Sequence, residues 1–358
     1  MKVCIIGNSL SSLTLAKALV NQNIYVHNLV KVKNTKLDKT RTIGISKSNN
    51  EFFNNNIISI EKISWKLKNI EIYSDNLKKE KLLHFENNSE ELFSIIKNFN
   101  LYELLKKSLL KSNYYKEINF KKSYDYQKNY NLIINTDYSN SITKKYFSKK
   151  IIKKYNSYAY TTVIKHRKIL NNTATQIFTK RGPLAFLPIS NNETSIVYSL
   201  NNLNDKKNDN ITKLIKDYNL KYEIENIENI KSFELKSLVL RSYYNNNILA
   251  FGDLLHRIHP LAGQGFNMTI RDIKLLIDII QNKISLGLPL DSSVNYEFEK
   301  NIKHKNYIFL SGIDFIYEFF NLERKLNKNI LSKSVQLLGK NYSVNKFFKK
   351  IADRGLVF

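Results

Sequence analysis

One stretch concentrates residues whose types and spacing suit chemistry: GDLLHRIHPLAGQGFN, Gly252 to Asn267. It holds three of the ten glycines in the chain, with two histidines and a proline between them. An apolar strand pattern ends at Phe251. Gly252 then permits close approach of another group, and Asp253 at the strand end can accept hydrogen bonds from a polyol. Pro260 bends the chain. Gly263-Gln264-Gly265 leads into a helix that begins near Phe266. The first amides of a helix have no partner within it and carry the positive end of its dipole, so this segment suits a delocalised anion. Read blandly, it is a strand-to-helix loop with His256 and His259 packed inside. The order Gly-Asp, Pro, Gly-Gln-Gly favours the functional reading.

A second cluster opens the chain. Gly7-Asn8-Ser9-Leu10-Ser11-Ser12 stands between a buried strand, Val3–Ile6, and a helix, Leu13–Val20, and a further strand follows at Ile24–Val30. A strand, small-residue turn, helix and parallel strand form a dinucleotide-binding unit when the turn lets a pyrophosphate reach backbone amides. Gly7 matches the first small position of such a turn. Ser9 and Ser12 hold the positions where glycines are usual. The acidic residue expected at the end of the second strand is missing: Val30 and Lys31 stand there instead, which suits an NADP phosphate or, more simply, means that the ribose contact is lost or comes from elsewhere.

The elements that must position these clusters are read from periodicity. Trp65–Ser74 alternates like an exposed strand, and Ser89–Leu110 reads as one helix opened by Ser89. Asn131–Thr136 is a buried strand, Tyr158–Leu200 is β-rich, and Asn246–Asp253 is a strand. Asn267–Ile284 is a helix with Ile270, Ile273, Leu276, Ile277 and Ile280 on one face, and the chain is helical from Ser292. Asn201–Asn210 is a polar loop. This order predicts an α/β (mixed α+β) fold. A discontinuous Rossmann-like domain takes residues 1–64, 89–155 and 241–300. A β-sheet substrate domain takes 65–88 and 156–240, and C-terminal helices take 301–358.

Composition bounds the alternatives. With 358 residues, 42% of them hydrophobic, the chain has enough apolar material for a large core. A single cysteine, Cys4, excludes a disulfide framework and lies in an apolar run, as a buried structural thiol would. No His/carboxylate cluster has metal-ligand spacing, so no metal is expected. There is no leader-like start and no apolar run long enough to span a bilayer. The net charge of +26 comes mostly from lysines spread end to end, together with abundant Asn, Ile and Tyr. That is the signature of an AT-biased genome more than of a nucleic-acid site, and no nucleic-acid partner is expected.

GDLLHRIHPLAGQGFNMTIRD resembles the second FAD-binding motif of FAD-dependent aromatic hydroxylases. The His-Pro-Leu-Ala-Gly-Gln-Gly form is most similar to the ubiquinone-biosynthesis branch, the polyprenyl-phenol hydroxylases. RTIGIS (Arg41 to Ser46), GPLAFLPIS (Gly182 to Ser190) and YEFEKNIKHKN (Tyr296 to Asn306) resemble further motifs of that branch in the same order. The branch's D-G-x-x-S-x-x-R motif reads here from Asp137 to Lys144, with Tyr138 for the glycine and lysine for the arginine.

The resemblance implies a para-hydroxybenzoate-hydroxylase-like fold, FAD as cofactor and NADH or NADPH as reductant. It implies hydroxylation of the aromatic ring of a polyprenyl phenol through a flavin C4a-hydroperoxide. Gly7, Ser9, Ser12, Asp137, Gly252, Asp253, Pro260, Gly263, Gln264, Gly265 and Asn267 would hold the cofactor. Arg41 would orient the flavin, with Arg41 and His256 as the candidates for a catalytic part. Phe186 and Pro188 would line the substrate side. A bilayer-borne substrate implies a cytoplasmic protein, peripheral on the inner membrane, and a place in a ubiquinone-biosynthesis complex. Two other readings stay open: a non-catalytic flavoprotein scaffold of that complex, and a related flavin-dependent prenyl reductase.

Overall fold

The computed structural model describes residues 2–31, 38–77, 80–86, 91–121, 126–201, 211–259, 263–326 and 330–355. The first unit is β1 (Lys2–Ile6), α1 (Leu10–Val20) and β2 (Tyr25–Val30). β1 is apolar on both faces and buried from Val3 to Ile6, as a central parallel strand must be. Cys4 is fully buried in it, which pushes its thiol pKa up. β3 (Thr42–Ser46) and α2 (Lys47–Asn56) follow.

The next stretch departs from the sequence expectation twice. Trp65–Ser74 is two strands, β4 (Ser64–Leu67) and β5 (Asn69–Ser74), in different sheets. The chain switches sheets at Lys68, where the amides of Lys68 and Asn69 both donate to Asn172 O, at 3.0 and 3.3 Å. After β6 (Lys81–Glu86), the expected helix from Ser89 to Leu110 is instead a strand, β7 (Phe93–Lys97), and a helix, α3 (Asn98–Leu110); residues 89 and 90 lie outside the described residues. Phe-Ser-Ile-Ile has strand propensity, and both of its faces are buried: Ile96 packs into the main core and Ile95 into a separate apolar cluster. A helix could not present consecutive isoleucines to two opposed layers.

Thereafter come β8 (Tyr115–Asn119), α4 (Tyr126–Asn129), β9 (Ile133–Asn135), α5 (Ser141–Tyr146), β10 (Lys150–His166), β11 (Thr173–Thr179), β12 (Gly182–Pro188) and β13 (Glu193–Asn201). Then α6 (Ile211–Asp217), β14 (Ile224–Ile227), β15 (Lys231–Leu240), β16 (Tyr244–Asn245), β17 (Ile248–Ala250) and β18 (His256–Arg257) lead to the last helices. These are α7 (Gln264–Ser285), α8 (Ser292–Leu326), α9 (Ile330–Lys340) and α10 (Tyr342–Arg354). Most of the expected polar loop, residues 202–210, lies outside the described residues.

Three sheets result. The six-stranded sheet runs β16-β17-β9-β1-β2-β8, parallel except for β16. The nine-stranded sheet runs β18-β15-β10-β13-β12-β11-β5-β6 with β14 on β10, and the third sheet is β3-β7-β4. The main core lies between the parallel sheet and its helices. The apolar face of α7, Ile270 through Ile280, is buried there. Because β1, β9 and β17 are adjacent and parallel, their C-terminal ends bring Gly7, Asp137 and Gly252 to one edge. Ligands of open α/β sheets bind at such an edge.

Candidate functional site

The small-residue turn after β1 is rigidly held. Gly7 N donates to Leu29 O at 3.0 Å. Ser9 caps α1: Ser12 N donates to Ser9 Oγ at 3.3 Å, and Ser9 N donates to Ser12 Oγ at 2.7 Å. Ser12 is fully buried and its hydroxyl also donates to Ser9 O, so its side chain serves the cap and faces inward. What this loop presents outward is Asn8, Ser9 and the first-turn amides of α1, which the helix itself cannot satisfy, while Gly7 is buried against Thr136.

Gly252 meets that loop. Its φ is +61°, and a Cβ placed on it would lie 2.7 Å from Ser11 Cβ. Only a residue without a side chain lets β17 end this close to the N-terminus of α1. Asp253, the next residue, is exposed. Asp137 reaches the same edge from β9. Its carboxylate pairs with Lys31 at 3.2 Å and accepts from Ser139 N and Ser139 Oγ at 2.8 and 2.7 Å. Burial alone would raise its pKa, but these hydrogen bonds and Lys31 hold it below the ordinary carboxylate value.

The second half of the motif builds a hub. Gly263 takes the left-handed conformation at the N-terminus of α7, where no side chain caps the helix. Its backbone abuts Gly44 of β3, whose own missing side chain leaves room for the Phe93 ring. Asn267, fully buried, stitches these parts together. Its Nδ2 donates to Gly44 O at 3.0 Å and to Gly263 O at 3.2 Å, while its Oδ1 accepts from Ser46 N and Asn49 Nδ2, both at 2.9 Å. Asn267 therefore positions the turn with every polar atom of its amide engaged.

Gln264 is also buried; its Nε2 donates to Ala352 O of α10 at 3.1 Å, and its Oε1 has no partner within the protein. Gly265 follows in the first turn, half exposed. Pro260 lies outside the described residues.

Beneath the hub runs a buried polar chain. His256 Nε2 bonds Asp272 Oδ2 at 2.7 Å, and Asn306 Nδ2 donates to Asp272 Oδ1 at 3.1 Å. All three residues are nearly or wholly buried, so His256 here ties β18 to α7 and α8. Next to Asp272, burial pulls the Arg271 guanidinium down to about 10, opposed by Asp272 and Asp353. At the surface, the Arg257 guanidinium lies 4.4 Å over the ring of Tyr138, the residue that replaces the family glycine.

Arg41 is exposed, and its guanidinium lies 5.0 Å over the Phe233 ring of the nine-stranded sheet. Phe186 is buried on the face of β12 that packs with Ile164, Ile196 and Tyr222, and Pro188 is buried two residues on. Strand alternation puts Leu187 on the opposite face, where it joins Phe93, Ile95 and Ala174 in an apolar wall between two sheets. Phe93 of that wall lies 3.9 Å from where a Gly263 side chain would begin. A separate groove of about 1060 Å³, lined by Arg241, Tyr243, Lys300 and His304 among others, shares no residue with the motif. Among the described residues no cluster of His, Cys, Asp and Glu could hold a metal ion.

The first loop and Gly252 thus meet at the edge of the parallel sheet, while the Gly263 turn, with the unpartnered buried Gln264 Oε1 beside it, stands against β3. A model of the FAD binding domain family matches residues 173–285. The 3-demethoxyubiquinol 3-hydroxylase of Escherichia coli (strain K12) is 31% identical over 156 residues, 41% of this chain and 39% of that protein. The mitochondrial ubiquinone biosynthesis monooxygenase COQ6 of Dictyostelium discoideum is 27% identical over 299 residues, 66% of this chain and 60% of that protein. The chain is similar to FAD-dependent hydroxylases of ubiquinone biosynthesis.

The chain thus spans 39% and 60% of the length of these two curated relatives. Solved structures show the same fold over nearly its whole length. p-Nitrophenol 4-monooxygenase PnpA of Pseudomonas putida DLL-E4 superposes with a TM-score of 0.76 at 10% identity, covering 99% of this chain and 98% of that one. 2,6-Dihydroxypyridine-3-hydroxylase of Arthrobacter nicotinovorans gives 0.66 at 12% identity, covering 89% and 92%. The residues present fit the family cofactor: the uncapped α7, the buried Gln264 Oε1, and the cradle at Gly252 that a side chain would fill.

Sequence reasoning missed Lys31 as Asp137's partner, Ser11, Phe93, Leu187 and the end of α10. Lys31 had a signal, its place at the end of the second strand; the others have none that is local.

Proposed function

We propose that this protein is an FAD-dependent monooxygenase that hydroxylates the aromatic ring of a polyprenyl phenol in ubiquinone biosynthesis, with NADH or NADPH as reductant. The observation that carries the reading is the close approach of Gly252 to Ser11 in the first small-residue loop, together with the uncapped Gly263 turn against Gly44 at the N-terminus of α7. When bound, the flavin supplies the activation of oxygen. The protein binds, orients and shields. Ser9 and the first amides of α1 take the diphosphate, and Asp253 takes the polyol chain. The amides of Gln264 and Gly265 face the electron-rich edge of the ring system, as a helix N-terminus favours. Asn267 fixes the angle of that turn. The wall of Phe93, Ile95 and Leu187 supports an apolar substrate ring and keeps water away.

A bilayer-borne substrate calls for a surface that meets lipid. Tyr307, Ile308 and Phe315 of α8, Leu337 of α9 and Phe347 of α10 are exposed apolar side chains on a lysine-rich chain, which supports peripheral docking. Among the described residues no helix is long and apolar enough to cross a membrane.

A second reading, a flavoprotein scaffold without catalysis, draws support from Tyr138 under Arg257 and from the serines of the first loop. Complementation of ubiquinone-deficient strains, each lacking one hydroxylation step, separates the two. Restored quinone, with the product mass raised by one oxygen, supports the enzyme. Failure in every strain, together with a purified yellow protein that NADH and NADPH both leave oxidised, supports the scaffold.

A further inference from the structure

The ion pair between Lys31 and Asp137 lies at the edge of the parallel sheet, beside the cradle proposed for the cofactor. In the parallel sheet β1 sits between β9 and β2. Asp137 follows β9, Lys31 follows β2, and Gly7 follows β1 between them. Strands two places apart are separated by about 10 Å. The two side chains span that gap and meet at 3.2 Å, so the bridge crosses the C-terminal end of β1. The backbone closes the same corner: Thr136 N donates to Ile6 O at 2.8 Å, and Asp137 N stands 3.6 Å from where a Gly7 side chain would begin. Both side chains are part-buried, at 30% and 20% exposure, and Lys31 Nζ also lies 5.6 Å over the Phe120 ring.

In the proposed site a carboxylate at this corner would face an anionic diphosphate, a repulsion that needs neutralising. Among the described residues, the end of β2 carries no acid to accept from a ribose; it carries Lys31, a cation that can do the neutralising.

Resting on the FAD reading above, we propose that Lys31 is a specificity-determining residue for the adenylate half of the cofactor. Its ammonium donates to the adenosine ribose and the adjacent phosphate, and it shields that phosphate from Asp137. Lys31 thus does with a donor what an acidic residue there does with an acceptor. The consequence is a sign that a merely structural ion pair would not give. Removing Lys31 loses a contact and also leaves Asp137 bare against the phosphate, so removing Asp137 as well restores part of the loss.

The test titrates purified apoprotein with FAD and with riboflavin, which has neither phosphate nor adenosine. The proteins are the wild type, Lys31→Ala, Asp137→Asn and the double variant, with the melting temperature of each apoprotein as the control for folding. The expected result is that Lys31→Ala weakens FAD about tenfold or more, the size of one lost charge-assisted contact. Riboflavin affinity stays within about twofold, and the double variant binds FAD more tightly than Lys31→Ala alone. Unchanged FAD affinity in Lys31→Ala overturns the proposal, as does an equal loss of FAD and riboflavin. A wild type that binds neither flavin overturns the FAD reading itself, and this proposal with it; a wild type that binds both while Lys31→Ala is silent overturns the clamp alone.

Discussion

Gly252 and Asn267 divide the work of one motif between absence and presence. Gly252 contributes by having no side chain against Ser11, whereas Asn267 contributes a carboxamide with donors and acceptor all engaged. Gly252→Ala combines a left-handed backbone, costing about 1–2 kcal/mol in an ordinary residue, with a Cβ 2.7 Å from Ser11 Cβ. The expected outcome is a lower midpoint in urea unfolding and FAD affinity reduced by more than tenfold. Affinity within twofold of wild type would show that the α1 and β17 ends need not meet this closely. His256 belongs to the same scale: buried against Asp272, it holds β18 to α7, and the geometry gives it a positioning part.

At the scale of elements, the N-terminus of α7 is braced from three sides: β3, α2 and the end of α10. Ser46 Oγ donates to Asp353 O at 2.8 Å and Ser48 N to Asp353 Oδ1 at 2.8 Å, while Gln264 holds Ala352 O. Asp353→Ala removes the acceptor of a backbone amide and a counter-charge of Arg271. It should lower stability by about 1–3 kcal/mol in chemical denaturation and weaken FAD more than ADP, because the proposed site puts its ring end at this brace. Equal weakening of the two ligands would place the brace outside the flavin end.

This brace was illegible in the sequence, since Ser46 and Asp353 are 307 residues apart and no local pattern couples them. The strand–turn–helix opening, the helix of Ile270 to Ile280 and the motif around Gly263 were legible, because each rests on local periodicity or small-residue spacing. The helix read across Ser89–Leu110 failed because β7 is buried on two faces, a fact of the tertiary arrangement.

At the scale of the molecule, charge and acid sensitivity are linked. The chain carries a formal +26, so each carboxylate that takes a proton adds to an existing repulsion. In Asp38, Glu71 and Asp137 burial raises the pKa, but hydrogen bonds and lysine partners outweigh it, and all three are held below their ordinary values. A carboxylate depressed in the folded state stabilises it fully above the ordinary value and loses that contribution as pH falls through the folded one. Melting temperature should therefore hold steady from pH 7 to about 5 and fall steeply below about pH 4.5, with Asp137→Asn flattening the fall. A curve that Asp137→Asn leaves unchanged would contradict this assignment.

The decisive measurement is the flavin content of the purified chain. The protein, or apoprotein given FAD at micromolar concentration, should carry one FAD per chain, seen as a resolved flavin absorption band and quenched flavin fluorescence. Correctly folded material that stays colourless and leaves added FAD free would contradict the reading of the Gly7, Gly252 and Gly263 turns as a cofactor cradle.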